Sequence, residues 1–323
     1  MTVGMTGASG VVGGAVLRHL TAAGREVRAV VRSDESAATV DRLGGEPVRG
    51  NILDFSSLRA AFAGCEVVYH VAGLNQMCSR DPSGMYRANV DGTRNVLRAC
   101  EATGVVRLVH TSSAVTIGEQ AGVVGDESTP HRGHYLSHYE RSKHHAEQVV
   151  LTEPGTVEVV CVNPSSVQGP GRASGTAKII LDVLRGRLPV LVDSEVSLVD
   201  IDDCARGHLQ AASRGRPGSR YILSGYTARA SEAIDLAAGV VGRSVRVRML
   251  PVPVVRAGAA VVAVGARIAR RRPPVCPEMV RVLAHGHRYD GSEATRSLGL
   301  DYTSPQVMVE RLVRWFESEG LLK

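Results

Sequence analysis

Tyr139-Glu140-Arg141-Ser142-Lys143 puts a phenol and an ammonium four residues apart, which on a helix is one face, one turn apart. A phenol titrates near about 10, so it exchanges protons poorly at neutral pH unless a nearby cation stabilises the phenolate. Lys143 can supply that cation and still offer donors to a ligand hydroxyl. Ser113, in Thr111-Ser112-Ser113-Ala114, lies at the end of an apolar run that reads as a strand, where its hydroxyl can donate to a substrate oxygen. A proton donor, a cation and a hydrogen-bond donor are what reduction of a carbonyl, or oxidation of an alcohol, requires. The three residues Ser113, Tyr139 and Lys143 are therefore the candidate catalytic set.

Such a reaction needs a hydride carrier, and the N terminus supplies a place for one. Thr6-Gly7-Ala8-Ser9-Gly10-Val11-Val12-Gly13 follows the first apolar strand and opens the first helical stretch. Gly7 allows a tight turn, Gly10 lets the backbone approach a pyrophosphate, and Gly13 permits close packing of helix on strand. Helix N–H groups and a partial positive charge complete the phosphate site, so Thr6, Gly7, Ser9, Gly10, Val11, Val12 and Gly13 are its expected lining. The second strand ends at Val31-Arg32-Ser33. An acid there would take a ribose diol, whereas Arg32 suits a 2′-phosphate, which favours NADP(H). Asp34 leaves NAD(H) open.

These residues need a scaffold. Apolar runs at Thr2–Thr6, 26–31, 66–72, 107–112 and 158–163 alternate with helical stretches. The strands show little polar alternation, as expected of a parallel sheet buried on both faces. Helices are read over 12–23, from Asp54 onward and over 83–103, the first and last stopped by Gly24 and Gly104. The fold class is α/β: a Rossmann-type doubly wound parallel sheet with a smaller, mostly helical C-terminal substrate lobe. Residues 1–170 form the dinucleotide-binding domain, with 196–225 returning to it. Residues 171–195 and 226–323 form the substrate-binding lobe, where helices are expected over Val252–Ile268 and Ser304–Glu319.

Composition agrees with an enzyme of this kind. Hydrophobic residues are 44% and charged residues 22% of 323, with 38 Lys+Arg against 32 Asp+Glu for a net +6. That surplus suits an anionic ligand without calling for nucleic acid. The apolar stretch 250–268 is interrupted by Pro251, Pro253, Arg256 and Arg267, too broken to span ~30 Å of hydrocarbon, so membrane contact is not expected. The six cysteines are scattered without a CxxC pair and read as reduced thiols. With no secretory signal read at the N terminus, a cytoplasmic location is expected, and homodimer formation is compatible with these features.

The chain resembles the extended short-chain dehydrogenase/reductases of the NAD-dependent epimerase/dehydratase superfamily, closest to the dihydroflavonol-reductase-like and 3β-hydroxysteroid-dehydrogenase-like branches and to the nucleotide-sugar epimerases. The motifs that carry it are Thr6–Gly13, Val71-Ala72-Gly73, Asn89-Val90-Asp91-Gly92-Thr93, Thr111–Ala114, Tyr139–Lys143, Asn163–Val167 and Val199–Asp203. The resemblance implies that Ser113, Tyr139 and Lys143 are catalytic. It implies that Val71, Ala72 and Gly73 line the adenosine-to-nicotinamide path and that Pro164 and Val167 meet the nicotinamide amide. Where the family usually has an acid contacting adenine, Asn51 stands here, followed by Ile52.

The substrate is expected to be a small or mid-sized hydroxy/keto compound held by Asn75, Met77, Ser113 and Tyr135. A nucleotide-sugar epimerase with tightly bound NAD is an alternative, as is a non-catalytic NADP-sensing regulator. Ala114-Val115-Thr116 after the serine argues against sugar dehydration, and the intact Tyr–Lys pair argues against a mere sensor. His134 and His138 have ligand-like spacing, but no paired Cys or Glu completes a site beside them and the phenol chemistry needs no ion, so no metal is expected.

Overall fold

The computed structural model describes residues 2–79, 81–255, 257, 258 and 276–322. Most of the expected helix over Val252–Ile268, and the Arg270–Arg272 run, lie outside the described residues. The chain alternates β1 (Thr2–Thr6), α1 (Val11–Ala22), β2 (Glu26–Val31), α2 (Asp34–Arg42), β3 (Glu46–Arg49), α3 (Phe55–Phe62), β4 (Val67–His70), α4 (Ser83–Tyr86), α5 (Gly92–Ala102) and β5 (Arg107–Thr111). Next come β6 (Val124–Gly125), α6 (His138–Thr152), β7 (Glu158–Pro164), β8 (Ser166–Gln168), α7 (Thr176–Leu184), β9 (Val190–Leu191), β10 (Glu195–Asp200), α8 (Ile201–Arg214) and β11 (Arg220–Leu223). Then follow β12 (Tyr226–Arg229), α9 (Ala230–Val241), β13 (Arg248–Met249), α10 (Pro277–His285), β14 (Arg288–Tyr289) and α11 (Pro305–Ser318).

Seven strands form one parallel sheet in the order β11-β7-β5-β4-β1-β2-β3. The order reverses between β1 and β4, whose register sets Thr6 beside His70. A crevice outside the carboxyl ends of these two strands is where such a sheet binds ligands. One face of the sheet is covered by α1 and α8, with Leu17, Leu20, Cys204 and Ala211 packed on Val3, Met5 and Val109. The other is covered by α3, α5 and α6, with Phe62, Val96 and Val150 packed on Val68 and Leu108. Burial on both sides explains the unbroken apolar runs.

The C-terminal part is less purely helical than expected. α11 buries Met308, Val309, Leu312, Val313 and Phe316 against Ile180 of α7 and Ala237 of α9. Each such side chain contributes roughly 1.5–3 kcal/mol of burial. Three short strands also tie this part down: β12 pairs with β10, β13 with β9 and β14 with β6. Strands of two residues leave almost no periodic signal.

One expectation is corrected. Cys78 and Cys276 form a disulfide across 198 residues of sequence, while Cys65, Cys100, Cys161 and Cys204 are free and buried. The fold brings the loop after β4 to the start of α10, a proximity that cysteine spacing does not encode. Among the described residues, no helix is long and apolar enough to cross a membrane.

Candidate active site

The floor of the crevice is the β1–α1 turn. Gly7 has φ +77°, and a Cβ there would lie 2.5 Å from the Ala72 nitrogen. A Cβ on Gly13 would overlap the Gly7 carbonyl oxygen, so both positions demand glycine. The first turn of α1 carries no acidic residue, and Gly10 gives no side-chain cap. Its N–H groups and the positive end of the helix dipole therefore face an open cavity, a cradle that fits a pyrophosphate. Thr6 supports the cradle from below: its hydroxyl contacts His70 Nδ1 at 2.7 Å and accepts from Ala72 N at 3.3 Å.

The cavity is about 460 Å³ and runs from Arg32 and Ser36 at one end to Ser113, Tyr139 and Arg172 at the other. Thr6, Gly7, Ser9, Gly10, Val11, Val12, Gly13, Arg32, Ile52, Val71, Ala72, Gly73, Asn75, Pro164 and Val167 all line it, as do Ser113, Tyr139 and Lys143. At the Arg32 end, Asp34 is ion-paired with Arg49, which leaves Arg32 and Ser36 as the groups lining the cavity there. A cavity of this volume lined by a phosphate cradle, by Arg32 and by the Ser113–Tyr139–Lys143 set fits a dinucleotide.

Asn51, Met77 and Tyr135 lie outside the lining. Asn51 is exposed, and its Oδ1 accepts from Leu53 N at 3.0 Å, a local turn bond that occupies the acceptor. Tyr135 packs among the rings of His131, His144 and His145, 5.1–5.9 Å away. Met77 adjoins the Cys78 bridge, half-buried.

α6 presents the two candidate catalytic residues. Ser137 caps it, accepting from Glu140 N at 3.0 Å; Tyr139 stands in the first turn and Lys143 one turn on. Lys143 Nζ donates to the Thr111 carbonyl at 2.6 Å. The Ser113 hydroxyl and the Tyr139 phenol line the same end of the cavity. Burial raises the Tyr139 phenol above its ordinary value, and the Ser113 hydroxyl and the Arg172 charge only partly offset this. Burial lowers Lys143 to about 8, with the Glu147 carboxylate pulling it back up. Glu147 continues the same face one turn further. It is fully buried, accepts from Asn163 Nδ2 at 2.5 Å and Thr116 Oγ1 at 2.9 Å, and pairs with Arg220 at 3.3 Å.

Two contributors had no role assigned from the sequence. Arg172, just after Gly169-Pro170-Gly171, brings a cation to Tyr139; nothing in the spacing aims that side chain. Asn89 sits in a π-helical turn over Arg87–Asp91 between α4 and α5. It clamps Leu74 from both sides, accepting from its N at 2.7 Å and donating to its O at 2.9 Å. The same amide donates to Ser142 Oγ of α6 at 2.9 Å, locking the Val71–Gly73 wall to α6. The wider turn is what lets Asn89 point inward.

Comparison with known proteins agrees with this geometry. Residues 3–223 match the family described as NAD dependent epimerase/dehydratase. A Synechocystis protein provisionally named dihydroflavonol 4-reductase is 33% identical over 99% of this chain and 95% of its own length. Sterol demethylase protein B of Methylococcus capsulatus is 31% identical over the full length of both. The crystal structure of gox2253 superposes with a TM-score of 0.88 at 30% identity, covering 100% of this chain and 99% of that one. Further relatives bear reductase and 3-beta-hydroxysteroid dehydrogenase names. A seven-stranded parallel sheet, a glycine cradle at its switch point and these matches together identify the chain as a member of the NAD dependent epimerase/dehydratase family, an NAD(P)-dependent oxidoreductase of the extended short-chain dehydrogenase/reductase type.

Proposed function

We propose that this enzyme is an NADP(H)-dependent reductase that interconverts a small or mid-sized ketone or aldehyde with its alcohol. The observation that carries the reading is the convergence of Ser113, Tyr139 and Lys143 on one end of a cavity whose other end holds Arg32. A bound NADP(H) would supply or take up the hydride at the carbonyl carbon. Ser113 donates a hydrogen bond to the substrate oxygen, and Tyr139 delivers its proton to that oxygen as the hydride arrives. Burial keeps the phenol protonated and ready to donate. Lys143 and Arg172 then face the phenolate that is left, which takes a proton back from solvent to close the cycle. Lys143, anchored on the Thr111 carbonyl, has donors to spare for the nicotinamide ribose.

Arg32 and Ser36 support NADP(H), because a guanidinium and a hydroxyl at the adenosine end suit a 2′-phosphate. Asp34, the residue that could favour NAD(H), is already paired with Arg49. The relatives named as reductases support the direction. We assign residues 1–170 and 196–225 to cofactor binding and 171–195 with 226–323 to substrate selection. Arg172 is the residue of that second group that lines the cavity; no described residue of 226–323 does. Its influence runs instead through α10, whose Glu278 holds Cys78 N at 2.9 Å and His138 N at 2.6 Å. The test is NADPH consumption against a panel of ketones and aldehydes. Turnover of a panel member, abolished in Tyr139→Phe, is the expected result; tightly held NAD with sugar-nucleotide epimerisation and no NADPH oxidation would replace this reading.

A further inference from the structure

A second cluster of chemistry-bearing side chains lies away from the cavity. Glu119 follows the short turn Ala114–Ile117 that leaves Ser113. His285 ends α10 and His287 precedes β14. Parallel pairing of β14 with β6, Arg288 beside Val124 and Tyr289 beside Gly125, draws the two histidines onto the carboxylate. None of the three lines the cofactor cavity.

The cluster is buried and incompletely satisfied. Glu119 is fully buried, and the His285 and His287 side chains are 8% and 14% exposed. Glu119 Oε1 lies 2.7 Å from His287 Nδ1 and 3.6 Å from His285 Nε2. Tyr289 Oη lies 2.9 Å from His287 Nδ1. Those contacts leave Glu119 Oε2, His285 Nε2 and His287 Nε2 buried without a hydrogen-bond partner. Buried polar atoms normally find partners, and three orphans at one point call for an explanation. One ligand atom from each residue lies within 4.8 Å of the others, a spacing that a single ion at ~2.0–2.2 Å from each could bridge after small side-chain shifts. Arg132 donates to the Glu119 carbonyl at 3.1 Å and is ion-paired with Glu140, and its charge also acts on the Glu119 carboxylate.

We propose that Glu119, His285 and His287 form a binding site for a divalent transition-metal ion of the zinc type, which clasps the C-terminal segment onto the segment that carries Ser113. Two imidazoles and a carboxylate suit zinc, and suit neither calcium nor magnesium, which take oxygen ligands. Three protein ligands leave the fourth tetrahedral position for another ligand.

The test uses the full chain, stripped with EDTA and desalted, then titrated calorimetrically with Zn²⁺, with Co²⁺ as a visibly absorbing replacement. The expected result is one equivalent of Zn²⁺ per chain, the intense visible bands of tetrahedral Co²⁺, and a raised Tm. Glu119→Gln and His285→Ala should each weaken Zn²⁺ binding at least tenfold with circular dichroism unchanged. His134→Ala, on the exposed loop before α6, should leave binding as it was and serves as the control for adventitious histidine binding. Wild-type protein that takes up no equivalent of Zn²⁺ overturns the proposal whatever the variants do. So does binding that survives both Glu119→Gln and His285→Ala, or that His134→Ala abolishes.

Discussion

At Tyr139 two influences oppose each other: burial holds the proton on, while Ser113 and Arg172 ease its loss. Replacing the phenol by Phe removes the proton donor and leaves the cradle intact. Tyr139→Phe should therefore lower turnover by ~10²–10⁴-fold with NADPH affinity unchanged, read by single-turnover kinetics and a fluorescence titration. The pH profile follows from Lys143, which burial lowers to about 8. Below that value the ammonium is charged; as pH rises through it, the charge that holds ribose and phenolate is lost. The value of kcat/KM for NADPH, which reports the free enzyme, should fall as pH rises above about 8, and a profile flat to pH 10 would detach Lys143 from the reaction. At the far end of the cavity, Arg32→Asp should reverse or flatten a preference for NADPH over NADH worth ~1–3 kcal/mol in charge-assisted hydrogen bonds, measurable by calorimetry with both cofactors. What was legible at this scale was local: Tyr139 and Lys143 lie one helical turn apart, and Gly7, Gly10 and Gly13 fall within seven residues at the β1–α1 junction. Arg172 and the position of Tyr135 depend on how distant loops fold back, which spacing in sequence does not carry.

Among the elements, α6 does more than display two side chains. Its buried face runs Tyr139, Lys143, Glu147, and Glu147 ties Lys143 electrostatically to Asn163 of β7 and Arg220 of β11. Because the Glu147 carboxylate raises Lys143, Glu147→Gln should move the alkaline fall of kcat/KM to lower pH while the folded structure, checked by circular dichroism, persists. A change in stability alone, with the midpoint unmoved, would make Glu147 merely structural. The strands that position α6 were readable because parallel strands buried on both faces are continuously apolar, as Val159, Val160 and Val162 of β7 are. The π-helical turn at Asn89 was not readable, since its residues continue a helical pattern and only the extra residue per turn re-aims the amide. β6 and β14, two residues each, were hidden for the simpler reason that a pair of residues has no period.

For the molecule as a whole, the described residues of the C-terminal segment reach the candidate active site by straps and not by lining it. Glu278 of α10 accepts from the backbone of both Cys78 and His138, so one carboxylate holds the wall beside Asn75 and the start of the catalytic helix. Glu278→Ala should raise the KM for the carbonyl substrate and leave NADPH affinity alone; the reverse pattern would overturn the division of labour between the two parts. The expected doubly wound sheet was legible because each βαβ unit is a local pattern, whereas the strand order and the straps join segments far apart in sequence and carry no local mark. The Cys78–Cys276 bridge closes a loop spanning 198 residues, worth about 5 kcal/mol in the chain-entropy account. That loop is also a covalent ring with two tails. Ser113, Tyr139 and Lys143 lie on the ring, while the glycine cradle and Arg32 lie on the N-terminal tail. A protease cut anywhere within the ring therefore leaves one molecule, not two: on a non-reducing gel the nicked protein should run as a single species, and it should separate into two fragments only when a thiol reductant opens the bridge.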